Sequence, residues 1–104
     1  MARKLRLQLP EHTYHIMSRC IEWRDMMQEE YFKACFVDIL NRTKQKYDFK
    51  LIAYCIMDNH IHIVIHTTSG GAPIARIVQY IKARFAEMYN KITGRTGPFW
   101  NERY

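Results

Sequence analysis

Three histidines alternate with isoleucine and valine over seven residues, from His60 to His66. In a strand, alternate side chains share a face, so His60 and His62 point one way while Ile61 and Ile63 point the other. Two such imidazoles stand about 6–7 Å apart at the backbone, which lets both rings reach one ion. Imidazole binds divalent transition metals, and with oxygen ligands it also serves Mg²⁺ and Mn²⁺. The spacing predicts a divalent metal cofactor, Mg²⁺ or Mn²⁺, held by His60 and His62.

The third histidine of this segment leaves several interpretations open. His66 is a possible third ligand, although Val64 interrupts the alternation that three successive histidines would give. His66 and Thr68 also form one His-x-Thr pattern, whereas phosphoesterases of that type use two copies. Alternatively, the histidines have no functional role and are simply polar residues on the solvent-facing side of a strand. Against it, three of the chain's five histidines lie here.

The histidine segment belongs to a set of three predicted strands. Residues 12–18, 49–57 and 60–67 are short, rich in β-branched and aromatic residues, and free of glycine and proline. Asp58-Asn59 between the last two strands is a turn-forming pair, which predicts a tight antiparallel hairpin. The isoleucines of the last strand are its predicted core face.

Two helices are predicted around these strands. Residues 28–46 place apolar side chains at three-to-four spacing, with Tyr31 also fitting the apolar side. Pro73 suits the first turn of a second helix, which Gly94 ends. One face of that helix carries the apolar positions Ile74, Ile77, Val78, Ile81, Phe85, Met88, Tyr89 and Ile92.

The order strand, helix, strand, strand, helix predicts the fold class. Two amphipathic helices must bury their apolar faces against one sheet face, so we expect an α+β, ferredoxin-like sandwich with an antiparallel sheet. The closing stretch PFWNERY is irregular or begins another element. At 104 residues the chain fits one domain, covering residues 1–104.

Composition narrows the function class. No window approaches 18 apolar residues, and the N-terminus lacks the apolar stretch of an export signal, so we expect a cytoplasmic protein without a membrane span. Cys20, Cys35 and Cys55 form no CxxC pair, so we expect them to be reduced and mostly buried. The net charge of +6 favours a polyanionic partner, nucleic acid first.

Four stretches in order resemble the HUH single-tyrosine transposases. The segment from Tyr54 to Ile65 is similar to the HUH signature, apart from Asp58 where that family usually has proline. The first strand carries a Tyr-His pair followed by Arg19, the second helix has a Lys-x-Arg-Phe step closing on Tyr-Asn, and Gly97 leads into Trp100, Arg103 and Tyr104. The chain looks most like REP-associated tyrosine transposases and their insertion-sequence relatives.

The resemblance implies an activity on DNA. Such enzymes cleave single-stranded DNA, often beside a hairpin, through a phosphotyrosine intermediate, and a divalent metal assists. It implies that His60 and His62 bind this metal, that single-stranded or hairpin DNA is the partner, and that a homodimer is possible. In the family the nucleophilic tyrosine lies on a further helix, so we expect this chain to stop short of it and leave the catalytic residue unknown.

Among the chain's own tyrosines, Tyr80 is a remote candidate nucleophile, and Tyr104 is no better a candidate. At 100° per residue Tyr80 shares a helix flank with Arg76, Arg84, Glu87 and Lys91. This flank either suits stacking on a base near phosphates or is simply a solvated side of the helix. Trp100 with Phe99 and Tyr104 is either a single-strand platform or a seal on the core. The predicted DNA-binding residues are Arg76, Tyr80, Arg84, Lys91, Arg95, Trp100 and Arg103.

Three functions remain open on the sequence alone. The first is metal-dependent DNA cleavage and strand transfer by a transposase-like domain that is incomplete. The second is DNA binding without catalysis. The third is a metal-dependent phosphoesterase unrelated to DNA.

Overall fold

Three strands and two helices make up the computed structural model, which describes residues 11–101. The predicted roles of Arg103 and Tyr104 therefore lie outside the described residues. A short 3₁₀ turn, Ile21–Trp23, follows the first strand. The remaining elements are β1 Thr13–Arg19, α1 Glu30–Lys46, β2 Phe49–Ile56, β3 His60–Thr67 and α2 Ile74–Thr93.

The strands form an antiparallel sheet in the order β1-β3-β2. β3, the histidine strand, is central and pairs along its length with both neighbours. The predicted hairpin is confirmed, because the Met57 N–H donates to the His60 carbonyl at 2.8 Å across Asp58-Asn59. The order places the histidines in the middle of a sheet whose two outer strands flank them.

The two faces of β3 differ as the alternation predicts. Ile61, Ile63 and Ile65 are at most 1% exposed, while the histidines on the other face are only half-buried. Both helices pack on the isoleucine side, where Phe36 of α1 meets Phe85 of α2 with ring centroids 5.3 Å apart. The predicted α+β sandwich, with both helices on one face of an antiparallel sheet, is confirmed.

The helix ends follow local chemistry. α1 begins two residues later than predicted because Glu29 has extended backbone angles and acts as its N-cap. α2 follows Pro73 and ends at Gly94, whose φ of +73° is the left-handed geometry that glycine adopts without a Cβ penalty. No helix within residues 11–101 combines the length and apolar character that crossing a membrane requires.

Several predicted core positions prove to be at the surface. Tyr31 is 58% exposed because it stands at the outer side of the first turn of α1, and Ile92 is half-exposed where α2 runs out beyond the sheet. Cys55 is also exposed, since it lies on the uncovered face beside His62. Cys20 is buried, and burial raises the pKa of its thiol to about 11.

The segment after α2 returns to the outer edge of β1. The Ile21 N–H donates to the Phe99 carbonyl at 2.8 Å, and the Asn101 N–H donates to the Arg19 carbonyl at 2.9 Å. Trp100 forms a bridge with Cys20 between these two bonds. Up to residue 101 the closing stretch is irregular apart from this single bridge, and the rest of it lies outside the described residues.

Candidate metal and nucleic-acid site

His60 and His62 lie side by side on the uncovered face of the sheet. Their ring centroids are 5.0 Å apart and their planes are nearly perpendicular, at 82°. Both residues are half-buried, so each ring keeps contact with solvent. The strand therefore brings the predicted pair together and leaves it accessible to an ion or a phosphate.

Asn59 fixes the chemical form of His60. The His60 Nδ1 lies 2.8 Å from the Asn59 side-chain oxygen, which only accepts, so Nδ1 must carry the hydrogen. In a neutral imidazole the lone pair is then on Nε2. Outer partners of this kind orient metal-binding histidines and select their tautomer. The turn that creates the hairpin thus also leaves Nε2 of His60 without the hydrogen.

His15 plays the matching part for His62, and it is a residue that the sequence analysis did not select as a site residue. Its Nε2 lies 3.1 Å from Nδ1 of His62, with the ring centroids 5.2 Å apart. When the His62 Nδ1–H donates in this contact, Nε2 of His62 is free to bind a cation. The period-two placement of His15 in the first strand was the available signal, but the pairing of β1 with β3 was not visible in the sequence.

His66 does not join the pair. It lies on the same face, but its Nδ1 is 2.8 Å from the Thr13 hydroxyl oxygen. Four residues of strand separate it from His62 by about 13 Å at the backbone, too far for one ion. Residues 11–101 contain no group of three or more His, Cys, Asp or Glu side chains placed to hold a metal. Within these residues His60 and His62 are a pair, and an ion bound by both would take its remaining ligands from water or substrate oxygens.

An exposed tryptophan adjoins the histidine pair. Trp23 follows β1 in the 3₁₀ turn, is 50% exposed, and meets His60 edge-on with ring centroids 6.0 Å apart. The guanidinium carbon of Arg19 lies 4.6 Å from the Trp23 ring centroid. The sequence analysis did not select Trp23, since an isolated tryptophan in a polar turn gives no periodic signal.

The backbone that carries this ring is strained. Glu22 and Trp23 have φ values of +56° and +55°, in the left-handed region that bulky side chains rarely adopt. Each such residue costs about 1–3 kcal/mol and persists only where its surroundings hold it. Here the turn is held by backbone bonds from Trp23 to Cys20 and from Ile21 to Phe99.

Tyr80 lies on the other side of the sheet from the histidines. Its ring contacts Tyr47 at 5.7 Å and has the Lys46 ammonium and the Arg84 guanidinium 5.4 and 5.7 Å from its centroid. It lines a groove of about 650 Å³ between α1 and α2, together with Arg84 and Lys91. The structure does not bring Tyr80 to the histidine pair within one chain.

The other predicted DNA-binding residues are also dispersed. Arg76 is exposed at the start of α2, and Arg84 forms an ion pair with Glu87. Arg95 donates to the Asn90 side chain and to the carbonyls of Gly97 and Pro98, so its guanidinium closes the loop after α2. These positions share no surface with His60.

Trp100, predicted as either a single-strand platform or a seal on the core, is nearly buried. It is 9% exposed, its indole N–H donates to the Lys82 carbonyl at 3.0 Å, and its ring packs on Phe36, Phe85 and Phe99. A base needs an open ring face to stack on, whereas the Trp100 ring is nearly buried among these neighbours and has the Lys82 ammonium 5.6 Å from its centroid. Of its two predicted roles, the seal on the core is the one that the burial supports.

The family described as "Transposase IS200 like" matches residues 8–104, nearly the whole sequence. The chain belongs to the IS200-like transposase family. No curated protein sequence matches it. Membership of this family agrees with the resemblance that the histidine strand and its three companion stretches indicated.

Two solved structures show the same fold as this IS200-like chain. A REP-associated tyrosine transposase, solved bound to a REP hairpin, has a TM-score of 0.75 and 14% identity over 94% of this chain. A protein of Deinococcus radiodurans R1, described as a transposase, has a TM-score of 0.70 and 18% identity over 91% of this chain. The chain spans 56% of the length of the first and 76% of the second.

Proposed function

We propose that the histidine face binds a divalent metal ion, Mg²⁺ or Mn²⁺, together with a phosphodiester of single-stranded or hairpin DNA. The observation that carries the proposal is the pair His60 and His62, whose Nδ1 atoms face Asn59 and His15 and whose Nε2 atoms are left for an ion. His60 and His62 would hold the ion, and its chemistry there would be that of a Lewis acid toward the scissile phosphate.

In this proposal the face is the metal-binding half of a DNA-cleaving and strand-transfer site that works through phosphotyrosine. A tyrosine oxygen attacks phosphorus, the 3′ oxygen leaves, and the bond energy is kept in the phosphotyrosine for the later transfer. The chain's own contribution is to hold both imidazoles in one tautomer and one orientation. Family membership and the hairpin-bound relative support DNA as the partner.

A second candidate, DNA binding without cleavage, is favoured by the placement of the tyrosines. Cross-strand pairing puts Tyr14 and Tyr54 on the isoleucine face, opposite Ile65 and Ile63. The other described tyrosines belong to the helices or contact them, so none within residues 11–101 shares the histidine face. Tyr104 lies outside the described residues. The nucleophile of this site is therefore not assigned.

The test uses a labelled hairpin oligonucleotide with a single-stranded flank, incubated with the protein and Mn²⁺ or Mg²⁺. Fluorescence anisotropy measures binding, and a denaturing gel detects a covalent adduct. We expect binding that His60→Ala weakens when metal is present. A covalent adduct that survives in Tyr80→Phe supports cleavage, and its loss or persistence in Tyr104→Phe shows whether Tyr104 is the nucleophile. Binding without any adduct supports the second candidate.

The result that contradicts both candidates is a wild-type chain that does not bind single-stranded or hairpin DNA at low salt. An adduct lost specifically in Tyr80→Phe contradicts the separation of Tyr80 from the histidines. Metal affinity that is unchanged in His60→Ala and His62→Ala removes the metal site itself. His66→Ala is the matched control, because His66 lies on the same face but outside the pair.

A further inference from the structure

We propose that Trp23 is a base-stacking platform that holds a nucleotide of single-stranded DNA next to the histidine pair. This inference rests on the proposed DNA-binding function and adds a named contact to it. The chain has two tryptophans, and only Trp23 offers an accessible ring, at 50% exposed against 9% for Trp100. A base stacks on an exposed aromatic ring whatever its sequence, because every base has a π face.

The ring stands at the right place for this role. Its centroid is 6.0 Å from that of His60, and Arg19, which lies over the ring, is the Cα partner of His60 in the β1–β3 pairing. Successive nucleotides of an extended strand are separated by distances of this order. A phosphate held at the histidine pair therefore leaves an adjacent base within reach of Trp23.

Arg19 braces the ring. In the amide orientation that satisfies both groups, the Asn101 side-chain oxygen accepts from the two terminal guanidinium nitrogens of Arg19, at 2.7 and 3.0 Å. The Asn101 N–H also donates to the Arg19 carbonyl. With one ring face against a fixed guanidinium, the indole is presented in one orientation, and stacking loses less conformational entropy than it would on a free side chain.

The strained turn supports the same assignment. Left-handed backbone at both Glu22 and Trp23 carries a large apolar ring that stays half exposed to solvent. Glu22 and Asp25 offset Arg19 and Arg24 in charge around the turn. Attraction for DNA at this point must then come from the ring itself, so stacking and not charge is the predicted interaction.

The experiment measures binding of a fluorescein-labelled single-stranded oligonucleotide by anisotropy at several salt concentrations. Trp23→Ala should weaken binding about 5- to 100-fold, the range expected for one stacked base, and Trp23→Phe should recover part of the loss. Because no phosphate contact is removed, the slope of log affinity against log salt should not change. Tyr31→Ala, a substitution of another exposed aromatic on the helix layer, is the matched control.

A second arm locates the base. Oligonucleotides carrying one abasic position each are tested on wild type and on Trp23→Ala. At the stacked position the two losses should not add, since both remove the same contact. Full additivity at every position, or wild-type affinity in Trp23→Ala, overturns the platform while leaving the proposed function standing. A wild-type chain that does not bind the oligonucleotide overturns both.

Discussion

The alternation of residues along β3 gives the strand two faces with different roles. One face presents three isoleucines to both helices and forms the centre of the core. The other presents His60 and His62 to solvent, with no helix of the described residues above them. The core and the histidine pair are thus separated by the thickness of one strand, so substitutions on each face should have separable effects.

The largest expected effect belongs to the covered face. Phe85 is fully buried among Phe36, Tyr89, Phe99 and Trp100, so Phe85→Ala leaves a cavity there. We expect the free energy of unfolding to fall by about 3–5 kcal/mol, measured by chemical denaturation.

The matched variant on the open face is Met17→Ala, since Met17 is exposed and lies across from His62. It should change the free energy of unfolding by less than about 0.5 kcal/mol. Equal destabilisation by the two variants would show that the open face is also covered in solution.

The next largest effect is a loss of metal affinity on the histidine face. His62→Ala removes one of two protein ligands, and we expect the affinity for Mn²⁺ to fall about 100-fold, or about 2.7 kcal/mol, in isothermal titration calorimetry. His66→Ala should keep wild-type affinity, because His66 is bonded to Thr13 and lies too far along the strand. A similar loss of Mn²⁺ affinity in both variants would show that the ion binds between His62 and His66, nearer the middle of β3.

A smaller effect tests the role of Asn59. Asn59→Ala removes the acceptor that holds the His60 Nδ1–H, and a loss of about 10-fold in Mn²⁺ affinity is expected. Asn59→Asp keeps an acceptor at that position and should retain the affinity. An Asn59→Ala protein with wild-type affinity would mean that the tautomer of His60 is set by the metal and not by the turn.

Much of this arrangement could be predicted from the sequence, because it depends on local periodicity. The alternation in β3 gives its two faces, and the apolar positions of α1 and α2 give their buried sides. The roles of the two tryptophans could not be predicted in this way. Trp100 is buried by residues distant in sequence, and Trp23 is exposed by two left-handed residues in a turn.

The proposed metal site also has one part that local sequence predicts and one part that depends on tertiary contacts. His60 and His62 are neighbours along the chain, so strand geometry alone places them together. His15 reaches His62 only because β1 pairs with β3 in a register that puts His15 opposite Val64. Helical periodicity correctly places Tyr80 on the same flank of α2 as Arg84. Which side of the sheet α2 covers depends on tertiary packing and could not be predicted.

The smallest expected effect is on stability, and it concerns the ion pair that links α1 to the turn between β2 and β3. Lys33 of α1 donates to Asp58 at 2.7 Å, and this carboxylate raises the pKa of the Lys33 ammonium. A group whose pKa is raised by folding stabilises the fold at lower pH and loses that contribution as pH rises through the raised pKa.

Wild type and Lys33→Ala should therefore differ in free energy of unfolding at neutral pH and converge in strongly alkaline solution. Lys33→Arg keeps its charge there and should not converge. A difference between wild type and Lys33→Ala that does not change with pH would assign the contribution to packing of the lysine stem.

The most direct test of the account is to observe the histidine rings while the ion binds. Nuclear magnetic resonance of the ring nitrogens, during addition of trace Mn²⁺, ranks the chain's five histidines by distance from the metal. We expect His60 and His62 to broaden first, His15 next, and His66 and His12 last. Simultaneous broadening of all five, or first broadening at His66, would contradict this expectation.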